Sequence, residues 1–249
     1  MKLLDLTLPS PAENLACDEA LHNWAEAGGG EVLRFWEPRG HFVVVGYANK
    51  VDREVDVAAC AANNIPIFRR CSGGGTVLQG PGCLNYTLIL QIAGHPSLAS
   101  ISGANKFIME RNCEAIQSAI GNWQSAISVR GHTDLTLVTC HLPLATPRKF
   151  SGNSQRRHKY SLLFHGTFLL DFDFSLVDEF LRMPSKQPDY RHNRGHGEFL
   201  TNLNAPAARL KNALGKVWNA MEETHNFPEP ETHKLAVEKY SNAGWNFKW

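Results

Sequence analysis

Between two apolar runs, residues 69–86 read RRCSGGGTVLQGPGCLNY, with two arginines, a hydroxyl and three consecutive glycines inside seven positions. Glycine lets main chain approach a ligand closely, and successive N–H groups of such a turn form a concave anion site. Arg69 and Arg70 add fixed positive charge beside it. The order of residues matches neither G-x-x-x-x-G-K-[ST] nor G-x-G-x-x-G, and no helical periodicity follows at once, so the phosphate-loop and dinucleotide-fold readings do not fit. Taken alone, the segment also suits a glycine-rich hairpin turn. A second stretch, RKFSGNSQRR at 148–157, sets Lys149 beside Ser151, Gly152 and Asn153. A lysine there reaches a phosphate or carboxylate as a point charge while small neighbours leave clearance; the alternative is a solvated basic turn. Two complementary half-sites on one chain favour a shared anionic ligand.

The elements that must position these groups are legible around them. Ser10-Pro11-Ala12-Glu13 is a capping box with proline at the first helical position, predicting a helix from Pro11 to about Trp24 that stops at Gly28-Gly29-Gly30. EVLRFWE and HFVVVGY read as strands joined through Pro38-Arg39-Gly40, in a hairpin or tight crossing. DVAACAANN reads as a short helix, and Ile65 to Arg69 as the strand that delivers the chain into the glycine loop. Leu84 to Ile92 reads as a buried strand, and Ala104 to Ile120 as a helix with Phe107, Ile108, Ala115, Ile116, Ala119 and Ile120 on one face. DLTLV and SLLFHGTFLLDF are strands on either side of the polar segment holding Lys149. Helices are also expected from Ser175 to before Pro184 and along Leu210, Leu214, Val217 and Met221. The charged stretch from Pro184 to Asn202 reads as a long surface loop of the kind that gates a site. His192 and His196 within it are four apart, but Gly195 and Gly197 disfavour the helix that would align them on a metal. Strand, helix and strand around a loop imply an α/β or α+β chain.

Composition narrows the function classes. The 249 residues are 43% hydrophobic and 20% charged, enough to bury a sizeable core. A formal net charge of +1 provides no broad field for nucleic acid or acidic lipid. The start, MKLLDLTLPSPAENLACDEAL, interrupts any leader-like run with prolines and carboxylates, and no apolar run approaches ~20 residues, so a cytoplasmic protein is expected. Six cysteines, none in a C-x-x-C pair, read mostly as reduced core residues.

Taken together, FRRCSGGGTVLQGPGCLNYTLIL and RKFSGNSQRRHKYSLLFHGTFLLD resemble the two signature segments of the lipoate-protein ligase family, within the larger group of biotin and lipoate protein ligases. ENLACDEAL, VVVGYANKVDREVDVAACAANNIPIFRR and the closing EKYSNAGWNF resemble it as well, so the likeness covers essentially residues 1–249 as one catalytic domain. The resemblance implies an α+β fold, a mixed sheet flanked by helices and akin to the class II aminoacyl-tRNA synthetase core. It implies ATP-dependent activation of lipoate or octanoate to an acyl-adenylate, with Mg²⁺ on the triphosphate, then transfer to a lysine of a lipoyl-domain protein. Carried over by position, Arg70, Ser72, Gly73, Gly74 and Gly75 would line the acyl-adenylate pocket, and Lys149 would bridge acyl carbonyl and phosphate. Asn85, Asp134, Ser151, Gly152, His165, Gly166 and Thr167 would complete the site, with no protein-held metal.

The chain departs from the family at Gln79-Gly80, where a histidine-aspartate pair is usual, and in a longer Asp134–Lys149 stretch carrying Cys140-His141. The second departure raises a rival, octanoyl or lipoyl transfer without ATP through a cysteine thioester. In the related transferases the cysteine precedes the strand opening at Asp134, where this chain reads Val129-Arg130-Gly131-His132-Thr133. Retention of Lys149 argues against a silent binding protein, and the ATP-dependent ligase is the expected activity. Ligases of this family commonly carry a further small domain, so either a separate small accessory subunit is expected or the 184–202 loop serves as a lid.

Overall fold

The computed structural model describes residues 1–121, 125–139 and 146–248. Eleven strands are found among them: β1 (Lys2–Asp5), β2 (Val32–Trp36), β3 (Phe42–Val45), β4 (Ile67–Arg69), β5 (Val77–Gln79), β6 (Cys83–Gln91), β7 (Ser125–Arg130), β8 (Asp134–Thr139), β9 (Arg148–Arg157), β10 (Ser161–Leu169) and β11 (Glu222–Glu223). Eight form a mixed sheet in the order β11-β1-β2-β6-β10-β9-β8-β7, parallel only at the β11-β1-β2 end; the other three form a small sheet, β4-β3-β5. With helices on its faces, this is the α+β architecture expected.

The two faces of the large sheet differ because the strands alternate with period two. On β6, Leu84, Tyr86, Leu88 and Leu90 join the main core, where helices Ile101–Ile120 and Ala207–Val217 cover them. Asn85 and Thr87 point the other way, as do His165 and Thr167 of β10. Helix Pro11–Glu26 packs on part of that second face. Its Ser10 capping box is formed, Ser10 Oγ accepting from Glu13 N at 3.2 Å and Glu13 Oε2 from Ser10 N at 2.8 Å.

One open alternative closes and two expectations change. β2 and β3 do not pair but enter different sheets, so Pro38-Arg39-Gly40 is a crossing. The segment around Lys149 is not a turn but the ten-residue strand β9, and it went unread because its polar residues mask the alternation. Residues 184–202 are not an open loop: they contain a 3₁₀ turn at Asp189–Arg191 and a short helix at His196–Phe199, with Arg191, His196 and Phe199 buried.

Candidate active site

Strand register builds the site as two rows across the second face of the sheet. Trp36, Asn85, Thr167, Gly152 and Asp134 stand side by side on β2, β6, β10, β9 and β8. Two residues further along lie Arg34, Thr87, His165 and Ser154. Lys149 would face the opposite side in a regular strand, three residues from Gly152. A β-bulge between β8 and β9 pairs Thr136 with Lys149 and leaves Phe150 as the extra residue in the core, turning Lys149 onto the site face. There its Nζ lies 2.7 Å from Asp134 Oδ1, and it crosses Gly152 so closely that a Cβ would sit 2.7 Å from Nζ. Lys149 is thus a half-buried, ion-paired strand residue and not an exposed loop lysine.

In the second row, wholly buried Arg34 donates to Asp18 Oδ1 at 2.6 Å, to Asn14 Oδ1 and to the carbonyls of Leu6 and Asn14. Asp18 Oδ2 meets His165 Nδ1 at 3.2 Å, and His165 Nε2 meets Ser72 Oγ at 2.6 Å. Burial alone would raise the Asp18 carboxyl, but Arg34 and His165 outweigh it and hold it below the usual carboxylate range. This chain ties the glycine loop to helix Pro11–Glu26 and β10. Gln79 of β5 closes a triangle with Asn85 and Thr167 of the first row. Gln79 Nε2 donates to Thr167 Oγ1 at 2.6 Å, Thr167 Oγ1 to Asn85 Oδ1 at 2.5 Å and Asn85 Nδ2 to Gln79 Oε1 at 3.1 Å.

The loop joining β4 to β5 is gripped through its carbonyls. Arg70 donates to Gly73 O and Gly75 O, both at 2.6 Å, and Ser154 Oγ, Asn49 Nδ2 and Tyr47 N take Gly73 O, Gly74 O and Ser72 O. Burial lowers the Arg70 guanidinium to about 10. Arg69 is buried likewise, donating to the carbonyls of Gly46, Tyr47, Asn49, Trp245 and Asn246. Both arginines therefore shape main chain. With the carbonyls turned to these donors, the amides of Gly73, Gly74 and Gly75 have no acceptor among the described residues. Gly74 adopts φ +84°, the left-handed conformation that favours glycine.

Around these groups lies a cavity of about 900 Å³. Leu15, Trp36, Val44, Val77, Leu78, Leu169 and Phe172 supply apolar wall. Of the expected site residues, Arg70, Gly74, Gly75, Asn85, Asp134, Lys149, Gly152, His165, Gly166 and Thr167 line it. Ser72, Gly73 and Ser151 do not; Ser72 stands behind His165, and Ser151 is buried on the other face beside Asn153. The sequence reading missed Asp18, Trp36, Gln79 and Tyr190 as lining residues. An acid in the apolar run LACDEAL signalled Asp18; nothing local signalled Tyr190, whose hydroxyl donates to Asp134 Oδ2 at 2.7 Å. His196 is buried against Asp178, Nδ1 to Oδ1 at 2.6 Å, whereas His192 is exposed, so they share no site.

No cysteine lines the cavity among the described residues. Cys17, Cys60, Cys71 and Cys83 are buried and Cys113 half-buried. Burial pushes the thiols up, to about 11 for Cys60 and about 12 for Cys71 and Cys83, away from the thiolate a nucleophile needs. Cys140 and His141 lie outside the described residues.

Residues 10–221 match the family model of the lipoyl protein ligase A/B catalytic domain. The chain belongs to that family. A bi-partite lipoate protein ligase from Thermoplasma acidophilum superposes with TM-score 0.78 at 21% identity, covering 99% of this chain and 95% of that one. A lipoate-protein ligase A bound with ATP gives 0.77 at 22%, covering 99% and 98%. Both share the fold. In sequence, octanoyltransferase LipM of Geobacillus kaustophilus and that of Bacillus subtilis are each 26% identical over 273 residues, covering 99% of this chain and 98% of theirs. A probable lipoate-protein ligase A of Mycoplasma pneumoniae is 27% identical over 99% of this chain but 72% of its own length. Six curated relatives, at 25–31% identity, are octanoyltransferases. That finding overturns the expectation of an ATP-dependent ligase. No helix among the described residues is long and apolar enough to cross a membrane.

Proposed function

We propose that residues 1–249 act as one catalytic domain, an octanoyl or lipoyl transferase. It moves the acyl group from a thioester donor to the Nζ of a lysine on a lipoyl-domain protein in the cytoplasm, without ATP, Mg²⁺ or an accessory subunit. The observation that carries this reading is that one cavity with an apolar wall is lined both by the Asp134-held Lys149 and by Gly74 and Gly75, whose amides have no acceptor among the described residues. Acyl transfer passes through a tetrahedral intermediate whose oxyanion needs donors arranged in advance. Lys149 and the amides of Gly74 and Gly75 serve as those donors, and the apolar wall takes the acyl chain.

A thioester is already activated, so no adenylate is required. The described cysteines are off the cavity and their thiols are pushed up, which leaves Cys140 as the acyl carrier. Its thiolate attacks the donor carbonyl and the donor thiol leaves. The acceptor amine then attacks the new thioester, an amide forms, and the Cys140 thiol is regenerated. The test is to weigh a lipoyl domain after incubation with the protein and either an octanoyl thioester or octanoate plus ATP. Mass gain with the thioester alone is expected, together with a hydroxylamine-labile adduct on Cys140. Gain only with ATP would sink the reading, and Cys140→Ser with full activity would remove the covalent step.

A further inference from the structure

Asp134 has two carboxylate oxygens, and each has its own partner. Oδ1 holds Lys149 and Oδ2 accepts from Tyr190. Tyr190 comes from the 184–200 segment, which forms the cavity wall beside β8 and β9. Its place is set independently of Asp134. The ring packs on Phe199 at 5.3 Å, and Arg194 donates both to Tyr190 O at 2.9 Å and to Pro147 O at 3.0 Å, two residues before Lys149. The same segment ends by donating Thr201 N to Lys149 O at 2.9 Å. Across the ring lies Gly131 in the β7–β8 turn, where a Cβ would come within 3.7 Å of Tyr190 Cε1. Burial first, then the neighbouring Asp134 charge, raises the Tyr190 hydroxyl, which keeps it a donor.

We infer that Tyr190 is a positioning residue for Lys149: by occupying Oδ2, it leaves Asp134 only one oxygen for the ammonium, so the remaining ammonium protons are directed to the acyl carbonyl. This rests on the acyl-transfer role of Lys149 proposed above. Without the hydroxyl the carboxylate is free to turn both oxygens on Nζ, a tighter and less productive pair.

The experiment uses Tyr190→Phe, which keeps the ring and removes one oxygen. Its first readout is independent of turnover: rate of Lys149 acetylation by acetic anhydride in the full chain, followed by mass spectrometry at one fixed pH. Labelling about threefold slower is expected, because an ammonium held by both carboxylate oxygens is less available to the reagent. Octanoyl transfer should show kcat about tenfold lower with KM for the donor unchanged, and the melting temperature should hold. Wild-type labelling and kcat in the variant would overturn the inference, as would a raised KM with labelling and kcat unmoved, the mark of a mere wall. Slower labelling in the variant with no octanoyl transfer by the wild type would uphold the positioning contact and sink the acyl-transfer reading instead.

Discussion

Lys149 and Gly152 are coupled by geometry. The ammonium lies across a position where any side chain would meet it, and among the described residues Asp134 Oδ1 holds it there. Lys149→Ala should reduce octanoyl transfer by ~10²- to 10³-fold, the usual cost of losing one preorganised oxyanion donor, and circular dichroism should show an intact fold. Gly152→Val should reach a similar loss by another route. Its branched side chain displaces Nζ from Asp134, yet the atom it meets is the end of a flexible chain, so the melting temperature should move little. Full transfer activity in the valine variant would show that Lys149 acts from elsewhere.

Two elements carry this geometry. The bulge in β9 makes Lys149, Gly152 and Asp134 share a face, while Phe150 enters the core on the other. The 184–200 segment is a wall built around Phe199, which is 2% exposed and lies under the Arg191 guanidinium at 4.7 Å and the Arg194 guanidinium at 5.3 Å. It is anchored at both ends and inside, so a packed wall stands where the segment's length and charge suggested a flexible lid. Phe199→Ala should destabilise the protein by about 3 kcal/mol, as for other buried phenylalanines. It should also raise KM for the donor, because the wall loses its support. Unchanged KM and melting temperature would mean that the segment does not shape the site.

On the scale of the whole molecule, acid sensitivity is built into the contact between helix Pro11–Glu26 and the β9–β10 turn. His22 is wholly buried, its ring 4.0 Å from that of His158. Burial, then His158, pushes His22 down to about 3; burial, then Arg156, lowers His158. For His22 the unfolded chain binds the extra proton between its ordinary value, about 6.5, and about 3. Stability is therefore complete above about 6.5 and falls as pH drops through that window, by about 1.4 kcal/mol per unit for one proton. Between pH 7.5 and 5.0 His22 alone should remove about 2 kcal/mol, roughly 4 to 8 °C in melting temperature for a chain of this size. In His22→Phe the decline over the same range should be shallower by that amount. Parallel melting curves for the two proteins would rule out the histidine pair as the cause.

The amino-acid sequence determined what depends on near neighbours. Ser10 to Glu13 sets a helix start because cap and partner are one turn apart, and β6 is amphipathic because alternate residues face opposite sides. The glycine loop and the lysine segment, singled out by residue type and order, line one cavity. Tertiary structure decided which groups meet. Asp134 meets Tyr190 56 residues away, and His165 meets Asp18 147 away; no local period encodes such contacts, which depend on how sheets and helices pack. It also decided the face of Lys149, because one bulged residue reverses the side on which a strand residue lies. The two arginines beside the glycines suggested charge for a ligand. Packing turned their donors to main-chain carbonyls instead, since a buried guanidinium must satisfy its N–H groups with whatever acceptors the fold brings near.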